Sequence, residues 1–222
     1  MRNYTMDEIK AICGAARLPM DVPFIDKRLE EYEFKYNGAY PYYAAFRDLV
    51  RALEPGVVLE VGTWQGTSAA AFAAGNHKTA VITIDHHSDP GDEENQRRTL
   101  EVMNEFHNVI YAQGCSSEKV TAEKPGTTCT FPYIRDLLAV EGKKIDIFLI
   151  DGWHEATMAQ ADFDTYKDLL AENALVICDD IYGGDCATIS GMLGFWENMP
   201  GEKWLCSSIH GGYPMGLTRM GK

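Results

Sequence analysis

The sequence predicts an α/β fold: a doubly wound, mostly parallel sheet of seven strands, with helices on both faces and a C-terminal antiparallel hairpin. Three observations carry this. The apolar run Val57-Val58-Leu59-Glu60-Val61 ends at Gly62-Thr63-Trp64-Gln65-Gly66 and passes into the small-residue stretch Ser68 to Ala74, a buried strand turning tightly into a helix. Apolar runs of strand length then alternate with helical patterns as far as residue 178. Two last apolar runs flank the short turn Gly211-Gly212-Tyr213-Pro214 and read as a hairpin.

Taken in order, residues 1–54 form an N-terminal helical segment, expected on the acceptor side of a site or at an oligomer contact, and residues 55–222 form the main domain. Tyr4 to Leu18 reads as a helix, Pro19 and Pro23 interrupt it, and Phe46 to Leu53 repeats apolar residues at helical spacing. Strands are expected at 57–61, 80–84, 109–112, 145–150 and 174–178, with helices at 67–75 and 93–106. A longer insert spans 113–144, with one helix near Tyr133 to Val140. Ala156 to Ala171 alternates apolar and charged residues as a surface helix does. A helix at Ala187 to Glu197 precedes closing strands at Trp204 to Ile209 and Met215 to Met220. Parallel strands joined by helical crossovers place a ligand crevice at their carboxyl ends.

With 222 residues and 45% hydrophobic content, the chain suits one sizeable domain with a full core. A net charge of −13 supplies no phosphate-neutralising surface and excludes nucleic acid as a partner. No apolar run approaches a membrane span and Met1-Arg2-Asn3-Tyr4 opens no signal peptide, so the expected location is the cytoplasm, with no membrane partner. The cysteines at 13, 115, 129, 178, 186 and 206 form no C-x-x-C pair or zinc spacing and read as free thiols.

Within the first strand–turn–helix, Trp64 stands where a dinucleotide fingerprint has its second glycine, and its bulk argues against a pyrophosphate close on the backbone. Asp85 ends the second strand 23 residues after Gly62, an offset at which a carboxylate accepts both ribose hydroxyls of an adenosine; the alternative is an exposed Asp opening the polar turn to Pro90. His86 and His87, adjacent on extended backbone, point apart and make no metal pair. Asp151 ends the fourth strand, and Asp179 with Asp180 ends the fifth. Neighbouring strand ends lie about 5 Å apart, so three carboxylates converge on the crevice. Their repulsion is resolved by a hard divalent cation, most simply Mg²⁺, or else one Asp caps a helix and another sits in solvent.

The pattern Glu60-x-Gly62-x-x-x-Gly66-x-Ser68 resembles motif I of class I S-adenosylmethionine (SAM) methyltransferases, the Rossmann-like fold in which the last strand inserts beside the fifth. That resemblance implies that Glu60, Gly62, Thr63, Gly66 and Ser68, together with Asp85, Ser116 of the adenine-edge segment Gly114-Cys115-Ser116, and Asp151, contact SAM. Gly62 is expected to leave room for the cofactor. Asp151, Asp179 and Asp180 resemble the ligands of metal-dependent O-methyltransferases. The branch acting on sugar hydroxyls of macrolides also has a histidine three residues after its first metal-binding Asp, as His154 follows Asp151 here.

The expected activity is therefore SAM- and Mg²⁺-dependent methyl transfer to a hydroxyl of a small molecule, whether sugar, natural product or catechol-like, with His154 taking the proton. The generic I-D-G-x-H segment of other methyltransferases offers a second reading, in which His154 is structural. Trp64, Trp153 and Tyr182 are aromatic candidates for the acceptor pocket. The rival activities are a nicotinamide-dependent oxidoreductase, which Trp64 and the lack of a Tyr-x-x-x-Lys pair disfavour, and a SAM-binding protein without turnover. A homo-oligomer is compatible with either.

Overall fold

The computed structural model describes residues 1–33, 42–86, 91–116, 120–124, 127–131, 134–181, 191–206 and 214–221. Tyr182, His87, Tyr133 and most of the expected Gly211–Pro214 turn lie outside them. Among the described residues the seven expected strands are present, and a further hairpin brings the sheet to nine. Five parallel strands form its centre: β1 (Val57–Val61), β2 (Ala80–Asp85), β3 (Val109–Gln113), β6 (Ile145–Ile150) and β7 (Leu170–Cys178). The extra pair, β4 (Val120–Lys124) and β5 (Thr127–Phe131), comes from the insert and adds antiparallel strands beside β3. At the other edge β9 (Met215–Arg219) slots between β7 and β8 (Glu202–Cys206), antiparallel to both. The order is β5-β4-β3-β2-β1-β6-β7-β9-β8, reversing direction at β1, so the crevice opens where β1 and β6 part.

Helices cover both faces, and the strand alternation shows why. Val58, Ile147, Leu149, Leu175 and Ile177 face one layer: α1 (Met6–Ala15), α2 (Pro23–Arg28), α3 (Tyr42–Leu53), α4 (Thr67–Gly75) and α5 (Asp92–Glu105). Leu59, Phe148, Ile150, Val176 and Cys178 face the other: α6 (Ile134–Val140), α7 (Ala156–Tyr166) and α8 (Met192–Asn198). The N-terminal helices therefore share the main core. Small residues in α4 follow from crowding, since a Cβ on Gly75 would lie 2.6 Å from the Arg47 carbonyl oxygen of α3. Among the described residues no helix is long and apolar enough to cross a membrane.

Several boundaries differ from the sequence expectation. The first helix is shorter, starting at Met6 behind a Thr5–Glu8 capping box. Pro23, expected in a linker, instead opens α2 at a position where its missing N–H costs nothing, and a π-helical turn, Leu29–Glu33, continues it. The helix expected to reach Ala171 stops at Tyr166, followed by a 3₁₀ turn at Lys167–Leu169. β7 accordingly begins at Leu170 rather than 174, its extra residues taken up by an irregularity opposite Ile145–Ile147.

Candidate active site

The turn between β1 and α4 is tied to its neighbours by backbone. Gly62 N–H donates to the Ile84 carbonyl at 2.9 Å, and Asp151 N–H to the Val61 carbonyl at 2.8 Å, stitching β2 and β6 to the end of β1. Gly62 has φ +96°, and a Cβ there would stand 1.8 Å from the Asp151 carbonyl oxygen. The glycine expected to leave space for a cofactor thus leaves it first for the β6 backbone. Trp64 also lies in the left-handed region, at φ 45°, which an indole residue adopts only when held there. The holding is done by Asp85, whose Oδ2 accepts the Thr63 and Trp64 amides, both at 2.7 Å. Asp85, expected as a ribose acceptor, therefore also shapes the turn. Two residues that no motif pointed to complete the frame: Arg28 donates to the Gln65 carbonyl, and Thr99 to the Trp64 carbonyl at 3.2 Å.

Beneath the turn lies Glu60, fully buried on β1. Thr83, its partner across the β1–β2 ladder, donates its hydroxyl to Glu60 Oε2 and bonds to Thr63 in turn. Oε1 has no hydrogen-bond partner among the described residues. Burial pushes the carboxyl up to about 8, with the Ser68 and Thr83 hydroxyls pulling the other way. Glu60 is thus a neutral acid at pH 7, and its reach to Thr83 and Ser68 makes it a support of the turn.

Asp151, Asp179, Asp180 and His154 gather at the adjoining ends of β6 and β7. Asp179 N–H donates to the Ile150 carbonyl at 3.1 Å, and Asp180 takes a left-handed φ of 47°. The His154 ring lies between two of the carboxylates, Nδ1 3.0 Å from Asp180 Oδ2 and Nε2 3.4 Å from Asp151 Oδ1. Hydrogen bonds to Asp151 and Asp180 push the imidazole up to about 10, so in this arrangement it is a cation and not yet a base. Burial raises Asp151 despite that partner, and raises Asp179 further because the Asp151 and Asp180 charges add to it. Asp179 Oδ1 is buried without a hydrogen-bond partner among the described residues. Among the described residues no three His, Cys, Asp or Glu side chains are arranged to hold a metal ion. Asp151 and Asp180 close on the His154 imidazolium, which is their counter-charge.

Ser116, beyond β3, hydrogen bonds through its hydroxyl to Asp162 of α7, and its carbonyl accepts the Tyr166 hydroxyl at 2.6 Å. Trp64 and Trp153 are 52% and 66% exposed at this end of the sheet, open to a ligand rather than packed in the core. A separate cavity of about 610 Å³, lined by residues including Arg51, His77 and His107, contains none of the site residues.

Comparison with known proteins agrees with this architecture. The TomG O-methyltransferase of tomaymycin synthesis from Streptomyces achromogenes, solved with SAM, is 13% identical at a TM-score of 0.61, covering 99% of this chain and 97% of that one. An O-methyltransferase from Bacillus cereus in complex with SAH gives 16% identity and a TM-score of 0.58, over 99% and 92% of the two chains. The TDP-rhamnose 3′-O-methyltransferase of calicheamicin biosynthesis gives 13% and 0.59, over 100% and 97%. At such identities these likenesses speak for the fold. No curated protein matches the sequence significantly. Residues 59–181, more than half of the chain, match the family model described as a methyltransferase domain, which displaces the oxidoreductase reading. The chain belongs to the methyltransferase-domain family and is a class I SAM-dependent methyltransferase.

Proposed function

We propose that this methyltransferase acts on a hydroxyl of a small molecule, a sugar, natural product or catechol-like compound, with a divalent cation, most simply Mg²⁺, held by Asp151, Asp179 and Asp180. The observation that carries the reading is the gathering of these carboxylates and His154 at strand ends next to the glycine turn. The crevice suits SAM. Gly66, the N-cap of α4, offers no side-chain cap, so the first amides of the helix are available to the methionine carboxylate. Asp85 stands beside them for the ribose. The donor types are those a hard cation takes, three carboxylates, and the buried Asp179 Oδ1 has no hydrogen-bond partner among the described residues; holding the ion would require Asp151 and Asp180 to turn from His154, on which they now close.

SAM supplies an electrophilic methyl group, and a divalent ion supplies Lewis acidity toward the acceptor hydroxyl. The chain does the rest. The glycine turn and Asp85 fix the nucleoside, while Trp153, exposed next to His154, offers an aromatic wall for the acceptor. A divalent ion there would be held by Asp151, Asp179 and Asp180 and would supply Lewis acidity, while His154 would be free to act only once its two hydrogen bonds to Asp151 and Asp180 were released. Its freed ring nitrogen, Nδ1 or Nε2, then accepts the hydroxyl proton.

The test is methyl transfer from SAM to a panel of catechols, glycosides and nucleotide sugars, read by mass spectrometry with EDTA, Mg²⁺ or Mn²⁺, alongside calorimetry with SAH. A methylated hydroxyl, loss of turnover in EDTA, recovery with Mg²⁺, and SAH binding throughout are expected. Undiminished turnover in excess EDTA would refute the metal, and absence of SAH binding would refute the cofactor site.

A further inference from the structure

The cavity of about 610 Å³ lies at the end of the sheet opposite the glycine turn. Its walls are the last turns of α3, α4 and α5, with the connections that lead into β2 and β3. β2 runs from this end, at Ala80, to Asp85, so roughly 17 Å of strand separates the cavity from the proposed SAM crevice. One side chain fixes its walls. Asn108 Nδ2 donates to the carbonyls of Ala73, Asn76 and Thr79 at 3.3, 3.3 and 2.9 Å. Phe106, half-buried, adds an aromatic surface, and its ring is held edge-on by Phe24 at a centroid distance of 5.8 Å.

The lining carries both signs of charge. Arg51 stands in the last turn of α3. Its one ion pair among the described residues is long, 4.0 Å to Asp48, and that carboxylate closes on Arg47 at 2.8 Å. The Arg51 guanidinium therefore has its fork of donors open to another carboxylate. Glu105 ends α5, whose last turn holds no basic residue, and it makes no ion pair among the described residues. A carboxylate at a helix C-terminus works against the helix dipole, so helix stability does not explain it. The ends of three helices add their last carbonyls to the same space, and these also favour an incoming ammonium.

We infer that this cavity is a second ligand site, which takes an apolar α-amino acid. Arg51 receives its carboxylate, Glu105 and the helix-end carbonyls its ammonium, and Phe106 packs against its side chain. A zwitterion matches a lining with one Arg and one Glu, whereas a phosphate would face Glu105 and a polyamine would face Arg51. His77 and His107 border the space with ring nitrogens that serve as further hydrogen-bond partners. The volume falls within the roughly 300–1,000 Å³ of small-molecule sites. The inference is independent of the acceptor and metal proposed above.

The experiment titrates the full chain with L-phenylalanine, with 3-phenylpropionate, which lacks the ammonium, and with phenethylamine, which lacks the carboxylate. Each is read by calorimetry in wild type, Arg51→Gln and Glu105→Gln, with and without excess SAH. Wild type is expected to bind L-phenylalanine at least about tenfold more tightly than either analogue, with SAH leaving that affinity unchanged. Arg51→Gln should lose most of the preference over phenethylamine, and Glu105→Gln most of the preference over 3-phenylpropionate. Amide shifts in NMR spectra should fall on residues 76–78 and 105–108. Melting curves establish that both variants are folded. No saturable binding of L-phenylalanine at millimolar concentration overturns the inference. So does displacement by SAH, which would place the amino acid in the cofactor crevice, or an affinity that both folded variants leave unchanged.

Discussion

Replacing Glu60 by Gln should make the chain more stable, and increasingly so as pH rises. Glu60 is buried on β1, and its carboxyl titrates at about 8 in the folded chain against an ordinary 4.5. An acid whose folded pKa is raised binds more protons folded than unfolded between those values, so wild-type stability falls as pH climbs from 4.5 to about 8 and levels off beyond. At about 1.4 kcal/mol per pH unit, that interval makes ionised Glu60 on the order of 5 kcal/mol less favourable to the fold than neutral Glu60. Gln keeps the shape and an oxygen for the Thr83 hydroxyl but has no charge to bury. Denaturant titrations of both proteins at half-unit steps from pH 5 to 8.5 measure the effect. The variant should lie within about 1 kcal/mol of wild type at pH 5 and gain several kcal/mol by pH 8.5. The Asp151 and Asp85 charges help raise Glu60, so the difference between the two proteins reads Glu60 together with that coupling. A stability difference that stays flat across this range would show that Glu60 does not take up a proton on folding, and the argument for a neutral acid under the turn would fail.

The same geometry sets two further outcomes. Gly62→Ala, with its Cβ directed into the Asp151 carbonyl and a φ of +96°, should cost more than about 3 kcal/mol by denaturant melting and loosen SAH binding as a consequence; wild-type stability would show that the β1–β6 contact is not close. His154→Ala should reduce kcat by roughly 10²–10⁴-fold with SAH affinity unchanged, and near-wild-type kcat in the folded variant would leave the ring a structural counter-charge for Asp151 and Asp180.

What the sequence made legible depended on burial from both sides. β1, β2, β6 and most of β7 are almost unbroken apolar runs because helices cover both faces, and such runs admit few readings. The hairpin Val120–Lys124 and Thr127–Phe131 was not legible, because two five-residue strands with only Val120, Ala122, Cys129 and Phe131 as apolar residues give too short an alternation to stand out within the insert. The start of β7 was hidden for a different reason: Leu170 and Ala171 continue the helical spacing of α7, and only pairing with β6 makes them strand. The site divides the same way. Asp85, Asp151, Asp179 and Asp180 were visible as acids ending apolar runs. Thr83, Thr99, Arg28 and Asp162 act on the turn or crevice from other elements, and local sequence does not record which distant backbone a side chain will meet.

Arg28 ties the N-terminal helices to the glycine turn. The matched region, residues 59–181, leaves α1 to α3 outside it, yet α2 sends the buried Arg28 guanidinium into the matched core. One nitrogen donates to the Gln65 carbonyl in the glycine turn and another to the Arg98 carbonyl of α5 at 3.1 Å, while Phe24 of the same helix lies 5.3 Å from the guanidinium carbon. A planar fork suits this task better than an ammonium would, since it reaches two carbonyls in fixed directions and stacks on a ring at once. Trp64, one residue before Gln65, is the strained member of the turn, so the segment most in need of restraint is gripped by Asp85 through its amides and by Arg28 through the next carbonyl. The N-terminal helices are thus part of what holds the glycine turn in place. Changes in α2 that shift Arg28 would reach the glycine turn, the methyl-donor site proposed above, through one carbonyl, without altering Gly62, Gly66 or Ser68.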